Sequence, residues 1–407
     1  MRIIQVILNR FSCILIVFCV MYLVSCDSKE VVEVIKPESP VKQKAFYKGT
    51  TMGFVSHQEK YGNVIFKENG VAKDPFQSVF DHGGNIARLR IDLPPYSNQL
   101  SKGYPAPDFR SPNNVKADML RAKNAGLNTL LTFSYQSMAL DPENKKNNYV
   151  APLGWQQIAG DITKLKDSVY NHTYNVLTDY ISIGVIPKIV SIGNEISWRF
   201  LEINSEEDDL PTYDPYRSAT LLNSGIKAVH DINREYKFDI KIALHPGGTN
   251  GLKWWMQNHM HYLEDFDIMG VSHYHEWTPK LNDFSNWEEV IKWLKSYYNL
   301  EFMILETAQL FTTGGNDKHV DILGTGNIPE GYPNPPTTAT QKEYLTDLSK
   351  EVSDAGGLGI VAWGGEWVGS DCLIYPDQWG AGSSWENKAF WNFEYNIHDG
   401  INWMKDF

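Results

Sequence analysis

The chain has 407 residues and a formal net charge of −12, long enough for one large domain or two modest ones. An acidic balance with no basic stripe argues against a polyanionic partner such as nucleic acid and favours neutral or small ligands. Of its four cysteines, Cys13, Cys19 and Cys26 lie in the first segment, so Cys372 alone can support neither a disulfide framework nor a cysteine zinc site in the body.

The chain opens with Arg2 and Arg10, followed by an apolar run over 13–24. A basic stretch before an apolar one is the pattern of an export signal. Leu23-Val24-Ser25-Cys26 is similar to a bacterial lipobox, which makes 1–25 the signal and Cys26 the lipidated first residue; an ordinary cleaved signal or an uncleaved anchor is the alternative. Acyl chains would tether the protein to a bilayer without spanning it. Residues 26–45 mix Glu, Lys, Val, Pro and Ser without apolar period and read as a flexible tether. The expected location is a bacterial membrane, outer membrane or cell surface.

Beyond the tether, short apolar strands alternate with longer amphipathic segments. Strands are expected over 49–55, 85–91, 127–135, 186–192, 240–244, 266–272, 302–307 and 358–363. Helices are expected over 115–125, 161–183, 216–235, 252–263, 287–298 and 340–355. Alternation of this kind implies an α/β fold with a parallel sheet, and eight strands close a (β/α)8 TIM barrel. A single catalytic domain over 46–407 follows, with no internal repeat.

The fourth strand ends in Gly193-Asn194-Glu195 and the seventh in Leu305-Glu306-Thr307. In such a barrel the C-terminal edge of the strands carries the active site. Two strand-end glutamates suggest a glycosidase carboxylate pair, one protonated and one ionised; either alone could be a solvated loop carboxylate. Arg88 and Arg90 are two apart on the second strand and so share a face. A barrel interior buries two guanidinium groups only with anionic partners. Glu306 is the expected partner, with Arg88 the first choice and Arg90 the next; structural carboxylates elsewhere are the alternative. Tyr274, Trp277, Trp363 and Trp367 are candidates for a floor on which sugar rings stack, and each alone could equally be packing. His245, His273 and His275 also follow strand ends, as sugar ligands or as satisfied loop histidines.

The ordered set of Arg88-Leu89-Arg90, Ile192-Gly193-Asn194-Glu195-Ile196, Ser272 with Tyr274 and Trp277, Leu305-Glu306-Thr307, Trp363 with Glu366 and Trp367, and Ser383-Ser384-Trp385-Glu386-Asn387-Lys388-Ala389 resembles glycoside hydrolase clan A, and within it family 53, the endo-β-1,4-galactanases. The resemblance spans most of the mature chain. It implies a retaining enzyme with Glu195 as acid/base and Glu306 as nucleophile, their pKa values pushed up and down respectively. It implies that Asn194 donates to the sugar 2-hydroxyl and that the partner is a polysaccharide. Catalysis would need no cofactor. Asp317, His319 and Asp321 alternate in the loop where bacterial members hold calcium, so a structural Ca2+ or a plain polar loop tip is expected there. The segments after strands three and six depart from the family pattern. They keep open another β-linked polysaccharide, a mannan or glucan; a surface glycan-binding lipoprotein without catalysis is the reading from a different class.

Overall fold

The computed structural model of the protein describes residues 45–93, 110–135, 150–196, 199–203, 213–317, 319–324, 328–370 and 382–407. The expected signal, the lipidation site Cys26, most of the tether and Cys372 lie outside the described residues, as do Gln136 and Ser137 of the altered segment after the third strand.

Eight strands close a barrel: β1 (Tyr47–Thr51), β2 (Ile86–Ile91), β3 (Asn128–Phe133), β4 (Ile189–Ile192), β5 (Lys241–Leu244), β6 (Ile268–His273), β7 (Glu301–Thr307) and β8 (Gly359–Ala362). Each pairs in parallel with its neighbours in sequence, and β8 returns to β1. Strands covered on both faces must be apolar on both, and these are near-continuous Val, Ile, Leu and Met runs. The alternating side chains divide between two cores. Ile86, Leu130, Ile189, Ala243, Ile268, Met303, Leu305 and Val361 fill the barrel. Ala87, Leu89, Leu131, Val190, Ile242, Phe302 and Ile304 pack outward against the helices.

The helices are α1 (Val55–Tyr61), α2 (Pro75–Asp81), α3 (Pro112–Ala125), α4 (Ile162–Ser182), α5 (Pro215–Tyr236), α6 (Leu252–His259), α7 (Trp287–Tyr298), α8 (Thr338–Asp354) and a final turn, α9 (Trp403–Asp406). Their starts follow from the sequence. Ser111, Asp161, Asp214, Asn286 and Thr337 each cap the first turn with a side-chain oxygen, worth about 1 kcal/mol apiece.

The first strand is the clearest departure from the sequence reading. It ends at Thr51 and the chain enters α1 at Val55, where the alternation suggested continued strand. Glu366, beyond β8, accepts from Thr51 Oγ1 (3.1 Å) and from the Phe54 N–H (3.3 Å), and Phe54 packs edge-on against Trp367 at 4.0 Å between centroids. These contacts pull the chain across the barrel mouth instead of along it. The helix expected over 252–263 also stops early, at His259 rather than Leu263.

Candidate active site

The C-terminal mouth of the barrel is polar where the layer below it is apolar. Above Ile86 on β2 stands Arg88, only 2% exposed. Its guanidinium is fully engaged: Nη1 donates to Glu306 Oε1 at 2.6 Å, Nη2 to Asn194 Oδ1 at 2.6 Å, and Nε to Thr132 Oγ1 at 3.1 Å. One cation therefore ties the end of β7 to the turn after β4. Glu306 accepts a further hydrogen bond on Oε2, from Tyr274 at 2.9 Å.

Glu306 faces the mouth because the ladder slips. Met303 and Leu305 both point into the barrel, so simple alternation would turn Glu306 outward. The β6–β7 register jumps between Val271 and Ser272, which sets Glu306 opposite Ser272, and the β7–β8 register shifts at the same level. Irregularities that re-aim one side chain are common beside active sites.

Glu195 is aimed by a different device. After Ile192 the chain turns through Gly193 at φ 84° and Glu195 at φ 51°. A Cβ at Gly193 would lie 2.5 Å from Ile196 Cγ2, so glycine serves both the dihedral and the space. The turn is held by Gly193 N–H to Phe133 O and Ile196 N–H to His245 O, each 2.9 Å. Glu195 Oε1 accepts from Ser272 Oγ at 2.6 Å, and Ser272 Oγ lies 3.0 Å from Nε2 of the buried His245.

The two carboxyls are thus in one cluster with opposite surroundings. For Glu306, burial alone would raise the pKa; the Arg88 charge, with help from the hydrogen bonds of Arg88 and Tyr274, outweighs it and holds the group below the usual carboxylate range. Glu195 is pushed up to about 7, first by desolvation in the cleft and then by the negative charge of Glu306. Its side chain is exposed to water along the mouth, which tempers that push.

Residues 47–404 match the sequence profile of glycosyl hydrolase family 53. The chain is 32% identical over 354 residues to an arabinogalactan endo-beta-1,4-galactanase of Cellvibrio japonicus, covering 85% of this chain and 86% of that one. It is 26% identical to the endo-beta-1,4-galactanase of Bacillus subtilis over 373 residues, covering 88% and 80%. Among solved structures, the family 53 catalytic domain from Ignisphaera aggregans superposes with a TM-score of 0.73 at 25% identity, covering 91% of this chain and 97% of that one.

The chain belongs to glycosyl hydrolase family 53.

Within this family 53 barrel the remaining expected residues fall into distinct places. Arg90, the second choice for Glu306, instead pairs with Asp92 at 2.8 Å; Asp92 is buried, also meets Arg110 at 3.3 Å, and accepts from Ser134. A carboxylate closer along its own strand takes this arginine. Tyr274, expected in the sugar floor, gives its hydroxyl to Glu306, although its ring still meets Trp277 at 4.9 Å. Trp277 is 51% exposed. Trp363 is half-buried between Trp367 and Trp385, each 4.8 Å away between centroids; Trp367 is buried against Phe54 and is packing rather than floor. His273 is buried edge-on to Trp287, away from the carboxyl pair's hydrogen bonds, and His275 is half-buried.

Sequence reasoning gave no role to Lys388. Its side chain is 1% exposed, and among the described residues Nζ has no hydrogen-bond partner. The ammonium lies 3.8 Å from the Trp363 ring centroid and 3.7 Å from that of Trp385, so aromatic faces stand where a counter-ion would. Burial pushes its pKa well below the ordinary value.

The calcium expectation at Asp317, His319 and Asp321 is not supported. Among the described residues no group of three or more His, Cys, Asp or Glu side chains is arranged to hold a metal ion. The oxygens of Asp317 accept from the backbone N–H groups of His319 (2.8 Å) and Ser383 (2.6 Å), tying the loop to the closing segment. Asp321 is pushed up to about 7 by burial and by its neighbours Glu386 and Asp317.

Proposed function

We propose that this family 53 protein is a retaining, endo-acting hydrolase of β-1,4-galactan, with Glu306 as nucleophile and Glu195 as acid/base. The observation that carries the reading is the paired environment at one barrel mouth. One carboxyl is held ionised by Arg88 and Tyr274, and the other, partly open to water, is bonded among the described residues only to a neutral hydroxyl. The galactanase names of the Cellvibrio and Bacillus relatives support the substrate.

In the first step Glu306 attacks the anomeric carbon while Glu195 gives its proton to the departing glycosidic oxygen. In the second, Glu195, now ionised, takes a proton from water, which attacks the same carbon and frees Glu306. The oxygen of Asn194 is spent on Arg88, which turns its amide NH2 toward a sugar hydroxyl. Trp277 and Trp363 supply rings for sugar faces. The calcium expectation at Asp317, His319 and Asp321 enters no step.

Incubation of the purified protein with a panel of β-galactan, β-mannan and β-glucan, with products sized, tests the reading. Internal cleavage of galactan supports it; cleavage of mannan or glucan alone moves the substrate; binding without turnover on any of them leaves a glycan-binding barrel.

The leader carries a second part of the proposal: residues 1–25 are removed, Cys26 is acylated, 26–45 tether the domain, and 46–407 form one catalytic domain outside the cytoplasm. The basic and apolar run ending at a cysteine supports it. Lipid labelling of the wild type that persists in Cys26→Ser would overturn it.

A further inference from the structure

The contact between His245 and Ser272 is more than scaffolding for the strand ends. A serine hydroxyl has a single proton to donate. Ser272 spends it on Glu195 Oε1 at 2.6 Å, so the 3.0 Å contact to His245 must be donated by the imidazole, from Nε2–H. A neutral imidazole protonated at Nε2 has a bare Nδ1. That atom is buried and has no hydrogen-bond partner among the described residues.

The reverse chain would run from a protonated Glu195 Oε1 to Ser272, and from Ser272 to Nε2. It would force the imidazole proton onto Nδ1, as a buried N–H with no acceptor among the described residues. Buried N–H groups without partners are rarer in folded proteins than under-used acceptors. The lack of an acceptor for Nδ1 among the described residues therefore acts as a ratchet on the hydroxyl two bonds away.

Resting on the retaining-hydrolase reading above, we propose that His245 and Ser272 are positioning residues. His245 fixes Ser272 as a one-way donor to Oε1 of Glu195, so that the catalytic proton is always carried on Oε2. A carboxylic acid whose proton sat on Oε1 would give it to Ser272 Oγ rather than to the leaving oxygen. The one-way hydroxyl removes that unproductive state and also stabilises the ionised form needed for the second step.

Among the described residues, the charged and titratable groups that face Glu195 are Arg88 and Arg90 from β2, His245 beyond β5, Tyr274 beyond β6 and Glu306 from β7. Burial keeps His245 neutral, with its pKa lowered to about 3, so the imidazole does not itself titrate in the working range. Ser272 is the neutral donor among them, and its loss leaves the other charges in place.

The test is the pH dependence of kcat/KM on galactan. In Ser272→Ala the anion of Glu195 loses a donor, so the alkaline limb moves up by about one pH unit, about tenfold in the protonation constant, while the acid limb set by Glu306 stays. Ser272→Thr, which keeps the hydroxyl, restores the wild-type limb. An alkaline limb unmoved in an active Ser272→Ala enzyme overturns the proposal. A second measurement needs no active-site truncation in the sample read: 15N NMR of histidine-labelled wild type, with His245→Gln used only to assign the resonance. A neutral ring protonated at Nε2 supports the ratchet, and a ring protonated at Nδ1 overturns it whatever the activity. A wild type that cleaves a different β-linked polysaccharide overturns the galactan reading alone, and the same pH profiles are then taken on that substrate.

Discussion

The end of β7 and the turn after β4 present the same functional group in two different settings. Glu306 is buried, shares a proton-rich shell with Arg88 and Tyr274, and is locked by a slip in two ladders. Glu195 stands on a left-handed turn, open to water along one edge, with a single neutral donor among the described residues. Chemical identity is constant, so the environment alone divides the labour. A charged donor fixes a permanent anion; a neutral donor in a partly solvated cleft, beside that anion, leaves a group that can hold or release a proton.

The sharpest way to break this comparison is to remove each carboxyl and rescue with azide. Glu306→Ala is expected to lose galactan turnover by on the order of 10⁴-fold or more, because the covalent route is gone. Azide then enters from the face that Glu306 occupied and yields the α-glycosyl azide from an activated β-galactoside. Glu195→Ala loses on the order of 10²–10⁴-fold on galactan, the scale of general acid catalysis, but keeps the first step on substrates whose leaving group needs no proton. Its azide product is the β-anomer. Anomers found the other way round would exchange the two roles.

Arg88→Leu attacks the feature that makes the two sites unlike. Breaking a buried pair and stranding Glu306 costs about 3–5 kcal/mol, read as a lowered Tm and denaturation midpoint. The sign with pH is defined. Glu306 sits below its unfolded value, so its stabilisation is complete above about pH 4.3 and fades as pH falls through the folded value. The variant should lose that acid-dependent part of its stability curve, and the acid limb of any residual activity should rise. An unchanged acid limb would show that Arg88 does not hold the nucleophile ionised. The smallest effect is expected from Tyr274→Phe. One neutral donor fewer on Glu306 raises the acid limb slightly and lowers kcat by about tenfold, about the worth of one hydrogen bond to a charged group. A change as large as that of Arg88→Leu would mean that the phenol, not the guanidinium, sets the nucleophile.

The barrel was legible because its strands are apolar on both faces and are separated by capped helices, and both signals are local. Glu195 and Glu306 could be found as polar residues that end apolar runs, and Arg88 as a charge that a barrel interior cannot leave alone. Most of what escaped depends on pairing between distant segments. Nothing in Leu305-Glu306 announces the register slip; strict alternation from Met303 would have faced Glu306 outward. The exception is Arg90, whose partner is Asp92, two residues along the same segment rather than across the barrel. Glu366 redirects the chain after Thr51 from more than 300 positions away, which no periodicity in the first strand encodes. The role of Ser272 needed His245 beside it, and their closeness comes only from β5 and β6 lying side by side.

The Lys388 ammonium, enclosed by the faces of Trp363 and Trp385, gives this mouth a built-in optical signal. An amine that close to two indoles, charged or neutral, perturbs their excited states, so the emission of this pair depends on how the rings lie over it. A sugar settling on either ring would disturb that arrangement and change the fluorescence without any dye or label. In the Glu306→Ala protein, where nothing is cleaved, the same glow becomes a direct gauge of how tightly each oligosaccharide is held.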